Sequence, residues 1–409
     1  MIQSLKELAS IKFREVFFMN QQMLERVQGL LHSACQEKEI AGASFLFRDK
    51  NGDETFCAEG WADIENQRPI KRDTIFRLYS MSKPITAAAA MLALEQGLFD
   101  LADPVSRYLP GFRDQKVWEN NSLVPAARET CLRDLLMMSS GLSYGGPSAS
   151  GQQVQAVFSE GLRRMYRDDA FTTQEMANRL GQCGLEFQPG TRWMYGVSAD
   201  IMGAVIEVAA GCSFREFMKK GILEPMEMVD TDFYVPENKR ERMAKTYYPG
   251  TLEEYTGDNL MIQNRMERLP AFESGGAGLV STMEDYSHFA QMLLQKGEWN
   301  GKRILSPRTV SYMTSPQLTE PQRLSLPWQA LFGYSYGNFM RILRAEGDST
   351  GLAVAGEYGW DGWLGPYFIN LPSENSTLLM MMQRVDSGTW RLSRRVRNVT
   401  LALAESSEK

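Results

Sequence analysis

The chain has 409 residues, 43% apolar and 23% charged, with a formal net charge of −6. That length predicts two packed regions rather than one core, and mild acidity without a long Lys or Arg run excludes nucleic acid as a partner. No apolar stretch reaches the ~20 residues that cross a bilayer, so no membrane span is expected; the best candidate, Pro84 to Leu94, reads as a short buried helix.

The opening stretch, MIQSLKELASIKFREVFFMN, breaks its apolar residues with Lys6, Glu7, Lys12, Arg14 and Glu15. This predicts an amphipathic helix rather than a secretory signal. A helix over about 20–38 comes next, then a strand AGASFLFRD, a turn at KNGD and a strand ETFCAEGWAD, with Asn51-Gly52 as the hairpin signal. From Ser80 to about Pro270 the pattern is mainly helical, in KPITAAAAMLALEQG, ETCLRDLLMMSSG, TTQEMANRLGQC, SADIMGAVIEVAAG and SFREFMKKGI, with Gly or Pro at the joins. The segment GGPSASGQQVQAVFSEGLRRMYRDD reads as loop. Helix MEDYSHFAQMLLQKG follows, then short strands GYSYGNFMRI, GEYGWDG, PYFINL and STLLMMMQ, and a last helix WRLSRRVRNVTLALA. Strands at both ends of a helical middle predict that residues 1–79 and 271–409 form one α/β domain. Residues 80–270 are then an inserted, mainly helical domain, with Ser80 at the junction.

Five cysteines without a CxxC pair predict free thiols in a reducing cytoplasm. The two histidines, His32 and His288, each fall in a helix-like segment. They supply no zinc ligand set, so no metal and no cofactor is expected.

Three serine motifs compete for the chemistry. Gly141-Leu142-Ser143-Tyr144-Gly145 matches the GxSxG elbow, but that elbow needs a strand before it, a helix after it and a later histidine. Here a helix precedes, loop follows, and His288 is the only later histidine, so the segment reads as a helix C-cap and turn with Gly141 at positive φ. Ser406-Ser407-Glu408-Lys409 is the chain's extreme end, where no pocket can form. Ser80-Met81-Ser82-Lys83 instead stands between a strand-like TIFRLY and a strong helix. Residues i and i+3 share a helix face, so Lys83 reaches the Ser80 hydroxyl. The helix N-terminus and burial both disfavour a proton on the lysine, which a general base requires. On the tetrapeptide alone, an N-cap serine with a solvated first-turn lysine stays open.

The wider context FRLYSMSKPITAAAAMLALEQGLFDLADPVSRYLPGF resembles the active-site segment of the serine β-lactamase and penicillin-binding-protein superfamily. Within it, the class C-like branch with family VIII carboxylesterases and related acyltransferases is most similar. The likeness continues, in family order, through LLMMSSGLSYG, FQPGTRWMYGVSADIMGAVIEVAAGCSFREFM, ILEPMEMVDTDFYVP and ESGGAGLVSTMEDYSHFAQMLLQKGEWNGKRIL. It implies an α+β, β-lactamase/transpeptidase-like fold: a mostly antiparallel sheet flanked by helices, plus the inserted helical domain. It also implies Ser80 as acylated nucleophile, Lys83 as its partner and Tyr195 as the second-element tyrosine, in preference to the literal Tyr336-Gly337-Asn338. Backbone N–H groups of Ser80 and Trp363 would form the oxyanion hole, and Tyr79 would border the substrate. Ser274-Gly275-Gly276-Ala277-Gly278 would be a backbone element beside the site.

Two positions depart from the β-lactamase pattern. Val197 replaces the asparagine of the second element, and Trp360-Asp361-Gly362 replaces the lysine-bearing third element. A tryptophan cannot ion-pair with a substrate carboxylate, and W-x-G is similar to the esterase and acyltransferase members. Gly362 would let that strand approach the substrate, while Asp361 either points away from the site or repels acidic substrates. The expected function is a serine hydrolase on small or medium acyl esters, with a small-molecule ester or amide as its substrate. The alternatives are a β-lactamase, D-amino-acid peptidase or amidase, or a non-catalytic acylated binding or sensor protein. Oligomeric state is left open.

Overall fold

The computed structural model describes residues 20–404. The amphipathic helix expected at the N-terminus and the Ser406–Lys409 motif lie outside the described residues. Helix 20–36 and the strands Gly42–Arg48 and Glu54–Asp63 follow the sequence expectation closely. The connection between the strands is a five-residue turn: Asp49 Oδ1 accepts from the backbone N–H groups of Asn51 and Asp53, and Gly52 takes φ +88°.

The central sheet has eight strands, each antiparallel to its neighbours. Its spatial order is Tyr334–Gly337, Met340–Leu343, Tyr358–Asp361, Tyr367–Leu371, Ser376–Met382, Gly42–Arg48, Glu54–Asp63 and Arg68–Pro69. Gly42–Arg48 pairs with Ser376–Met382, Ala43 opposite Met382 and Arg48 opposite Thr377. The first strands are thus closed into the sheet by the last. Both faces are covered. Helices 20–36 and Arg391–Leu403 bury Met23, Val27, Leu31, Leu392 and Val396 on one side. Met283–Leu294 and Ser82–Glu95 contribute to the larger core on the other. This is the α+β fold of the sequence reading.

Helix Ser82–Glu95 carries the most consequence for the site. Eleven of its fourteen residues are buried, including Ala87–Ala90 on consecutive positions. A helix apolar all round is a central helix, and its small alanines let neighbours such as Ser198–Ala210 pack closely.

Two local expectations are corrected. The segment read as loop around GQQVQAVFSEGLRR is a sixteen-residue helix, Ala149–Arg164. Ser148 caps it by accepting from Gly151 N, and Val154 and Phe158 repeat at i, i+4 on its buried face. GYSYGNFMRI is a hairpin rather than one strand, because Asn338 and Phe339 both take left-handed φ, +48° and +61°. Within the helical stretch, Lys116–Glu119 and Ser122–Pro125 form a further hairpin.

Just before Ser80, Arg77 is 4% exposed and hydrogen-bonds carbonyls instead of a carboxylate. It donates to Asn264 O at 2.6 Å, Ala244 O at 2.7 Å and Gln383 Oε1 at 3.1 Å. Burial pulls its guanidinium down to about 10, against the upward pull of Tyr79 and Glu254. Arg77→Met strands the Asn264 and Ala244 carbonyls and leaves Gln383 Oε1 only the residue 77 backbone N–H, so a loss of about 3 kcal/mol or more is expected in urea denaturation. A change under about 1 kcal/mol would contradict this role.

Candidate active site

The nucleophile candidate sits on a strained turn. Phe76–Arg77 pairs with Val280–Ser281, Leu78 N donates to Leu279 O at 2.9 Å, and a short 3₁₀ turn, Tyr79–Met81, leads into helix Ser82–Glu95. Tyr79 takes φ +44°, a left-handed conformation rare for an aromatic residue and worth of order 1–3 kcal/mol of strain. The turn leaves Ser80 partly exposed while Lys83, in the first helical turn, is fully buried.

Lys83 Nζ has three polar partners: Ser80 Oγ at 3.0 Å, Tyr144 Oη at 2.9 Å and Gly276 O at 2.8 Å. As an ammonium the lysine donates to all three; as a neutral amine it keeps two hydrogens for Gly276 O and Tyr144 and offers its lone pair to the Ser80 hydroxyl. Burial pushes the Lys83 ammonium down to about 7, although the carboxylates of Asp200 and Asp361 pull it back up. Asp200 is itself buried, and that burial pushes its carboxyl up; it accepts from Gly276 N at 3.0 Å and from Ser274 Oγ. The loop Ser274–Gly278 therefore meets both the lysine and its nearest carboxylate. A Cβ on Gly276 would come within 2.7 Å of Asp200 Oδ2 and Tyr144 Oη, so any side chain there would displace the Asp200 carboxylate or the Tyr144 hydroxyl.

Tyr195 lies on the loop before helix Ser198–Ala210, with its ring 4.7 Å from Lys83 Nζ. Its hydroxyl accepts from Trp360 Nε1 at 3.2 Å, and the neighbouring Ser80 side chain offsets a little of the upward push of burial on it. Burial pushes the Tyr195 hydroxyl well up, so it is neutral at neutral pH. Around it stand Tyr144, Trp328 and Trp360, with ring centroids at 5.6, 5.1 and 5.5 Å. Tyr195 and Trp360, distant in sequence from Ser80 and Lys83, are thus brought beside them.

The remaining expected residues are placed as follows. Tyr79 is buried, its hydroxyl lacks a partner among the described residues, and its ring meets the Trp363 edge at 5.0 Å. Val197 is fully buried at the N-cap of Ser198–Ala210 and offers no polar group. A Cβ on Gly362 would lie 2.2 Å from Leu78 O, so the third-element strand packs directly against the serine turn. Trp363 is held by Nε1 donating to Asp386 Oδ1 at 2.6 Å. Asp361 pairs with Arg341 Nη1 at 2.7 Å. That pairing neutralises much of the charge the sequence left open.

The GxSxG segment forms a turn. Gly141 takes φ +86°, and Ser143 Oγ accepts from Gly145 N in its own turn. Tyr336 is buried between Trp193 and Trp360, and Asn338 Nδ2 donates to Met313 O. His288 bonds Met226 O and stacks on Trp299. Sequence reasoning missed Tyr144, which lies inside the dismissed GxSxG string and bonds Lys83. The only available signal was its place in LLMMSSGLSYG. Among the described residues no His, Cys, Asp and Glu cluster could hold a metal ion, and no helix is long and apolar enough to cross a membrane.

A family model described as Beta-lactamase matches residues 23–401. Protein Rv1367c of Mycobacterium tuberculosis is 30% identical over 376 residues, spanning 88% of this chain and 90% of its own. Esterase EstB of Burkholderia gladioli is 30% identical over 276 residues, 64% of this chain and 67% of its own. The solved structure of EstCE1, described as a hydrolase with promiscuous acyltransferase activity, superposes with a TM-score of 0.78 at 25% identity. That match covers 93% of this chain and 99% of EstCE1.

Proposed function

The chain belongs to the beta-lactamase family, and on that premise we propose that it is a serine hydrolase acting on carboxylic esters through an acyl-enzyme on Ser80. One observation carries the reading: a fully buried lysine, lowered to about 7, lies 3.0 Å from the hydroxyl of a partly exposed serine. Lys83 takes the Ser80 proton as Oγ attacks the ester carbonyl carbon. The oxyanion is held by the N–H groups of Ser80 and Trp363. When the carbon–alkoxide bond breaks, the proton passes from Lys83 through Tyr195 to the leaving oxygen, and free alcohol departs. Tyr195 relays as a neutral hydroxyl, in keeping with its burial. Water, or a second alcohol, then attacks the acyl-Ser80 ester, Lys83 again taking the proton. Ser80 is regenerated with release of an acid or a new ester.

Esters are favoured over β-lactams by Trp360, which places an indole N–H on Tyr195 where an ion-pairing lysine would sit. The buried Val197 adds no amide for an acylamino side chain. The names of the relatives, an esterase and a hydrolase with acyltransferase activity, support the same class. The five cysteines are free thiols, which supports a reducing compartment. Rates on p-nitrophenyl butyrate and nitrocefin, with Ser80→Ala as blank, test the substrate class. Faster Ser80-dependent ester cleavage is expected; preference for nitrocefin would reverse the assignment.

The lysine also sets a pH dependence. The neutral amine is the working form, so kcat/KM should fall about tenfold per pH unit below about 7 and level off above it. A flat profile from pH 5 to 8 would remove Lys83 as the base.

A further inference from the structure

The turn at Gly141–Gly145 presents Tyr144, whose Oη lies 2.9 Å from Lys83 Nζ. Direct backbone packing fixes this turn beside Tyr195. A Cβ on Gly196 would stand 1.8 Å from Leu142 O, so the loop carrying Tyr195 lies against the turn carrying Tyr144 with no room for a side chain between them. The two tyrosine ring centroids are 5.6 Å apart, and Phe158 of helix Ala149–Arg164 backs the Tyr144 ring at 6.4 Å. The two tyrosines meet the lysine differently. Lys83 Nζ lies over the Tyr195 ring, 4.7 Å from its centroid, while the Tyr195 hydroxyl accepts from Trp360 Nε1. Tyr144 instead turns its hydroxyl to Nζ.

The hydrogen count at Nζ gives Tyr144 its task. With the two hydrogens of the neutral amine on Gly276 O and Tyr144 Oη, the lone pair is left for the Ser80 hydroxyl. Once the amine has taken the Ser80 proton, Tyr144 Oη accepts from a full ammonium. Such a charge-assisted bond is stronger than the neutral one it replaces, so the contact tightens as the proton moves. Desolvation pushes the Tyr144 hydroxyl well above its usual range, which keeps it a neutral phenol throughout. The other groups facing Lys83 are Tyr195 from its loop, Asp200 from helix Ser198–Ala210, and Asp361, paired with Arg341, from strand Tyr358–Asp361. We propose that Tyr144 is a positioning residue for the base: its hydroxyl holds one Lys83 N–H so that the lone pair faces Ser80, then shares the ammonium charge, while Tyr195 serves the leaving oxygen. This role rests on Lys83 acting as the base of Ser80, and its first test needs no ester turnover.

An alkyl fluorophosphonate reports on Ser80 alone: Oγ attacks phosphorus, fluoride leaves without needing a proton, and the Ser80 proton goes to Lys83. Labelling rates are followed by intact mass from pH 5 to 9. In the parent protein the rate should rise about tenfold per pH unit up to about 7 and then level. Tyr144→Phe keeps the ring against Phe158 and Tyr195. It should lower the plateau about 10- to 100-fold and move the bend at least about one unit to lower pH, because the ammonium loses an acceptor and the amine becomes a weaker base. A packing role alone would slow labelling without moving the bend, so a bend left at its parental pH, or an unchanged rate, overturns the proposal. Labelling at one probe per chain shows that the variant is folded; Tyr144→Leu gives the same comparison should Tyr144→Phe fail to fold. On esters, Tyr144→Phe should lose no more on ethyl butyrate than on p-nitrophenyl butyrate, whereas Tyr195→Phe should lose more on ethyl butyrate, whose alkoxide needs a proton to leave. A Tyr144→Phe loss concentrated on ethyl butyrate would make Tyr144 the proton donor and overturn its assignment to the base. Labelling of Ser80 without any ester turnover would count against the ester reading, while the bend still decides Tyr144. A parent protein whose Ser80 does not label would overturn both.

Discussion

Lys83→Met is expected to lower kcat/KM on p-nitrophenyl butyrate by at least about 10⁴-fold without lowering the melting temperature at pH 7. The kinetic half follows from the Lys83 amine bonding Ser80 Oγ directly. An unassisted hydroxyl is a poor nucleophile at neutral pH. The stability half follows from burial. In the unfolded chain the lysine holds its proton to about pH 10.4, whereas in the folded chain it gives it up at about 7. The burial penalty is therefore full below pH 7 and fades as pH rises towards 10. At neutral pH it is worth roughly 4–5 kcal/mol against folding. Methionine removes that penalty, and stranding Gly276 O costs about 1–3 kcal/mol in return. A variant that loses activity by unfolding would show a lowered melting temperature, and the role assigned to Lys83 would fail.

Gly362→Ala is expected to cost about 10²–10³ in kcat, comparable to the loss of one oxyanion donor. The added methyl would stand 2.2 Å from Leu78 O and 2.8 Å from Pro366 Cγ. Neither neighbour is a flexible side-chain end. Leu78 is two residues before Ser80, and Trp363 is the next residue after Gly362, so relief of the clash must separate the two N–H groups proposed for the oxyanion. KM should change much less than kcat, because the tetrahedral oxyanion exists only beyond the ground state. Steady-state kinetics with a short-chain ester measures both, and an unaltered kcat would separate Trp363 from the oxyanion hole.

The parts of this site visible in sequence are those whose signal is local. Ser80 and Lys83 are three residues apart at the start of a helix, and the alanine run behind them announces its burial. The strands Gly42–Arg48 and Glu54–Asp63 carry their own hairpin signal at Asn51-Gly52. Tyr195 and Trp360 needed the resemblance, because nothing in their spacing brings residues 195 and 360 together. Arg341 with Asp361 was not legible at all: the pairing depends on the register of Met340–Leu343 against Tyr358–Asp361, fixed by non-local contacts. Tyr144 was hidden for a different reason. The GxSxG string drew attention to Ser143, while the residue that reaches Lys83 is its neighbour. Helix Ala149–Arg164 was missed because glycines and glutamines dilute its apolar face, although Ser148 was a legible cap.

The most direct test of the central claim is to trap the acyl-enzyme. Protein mixed with p-nitrophenyl butyrate and quenched in acid within the burst should gain one butyryl group by intact mass, mapped to Ser80 by peptide fragmentation. Ser80→Ala should gain none. A butyryl group on Ser143 or another side chain, or full turnover by Ser80→Ala, would contradict the account.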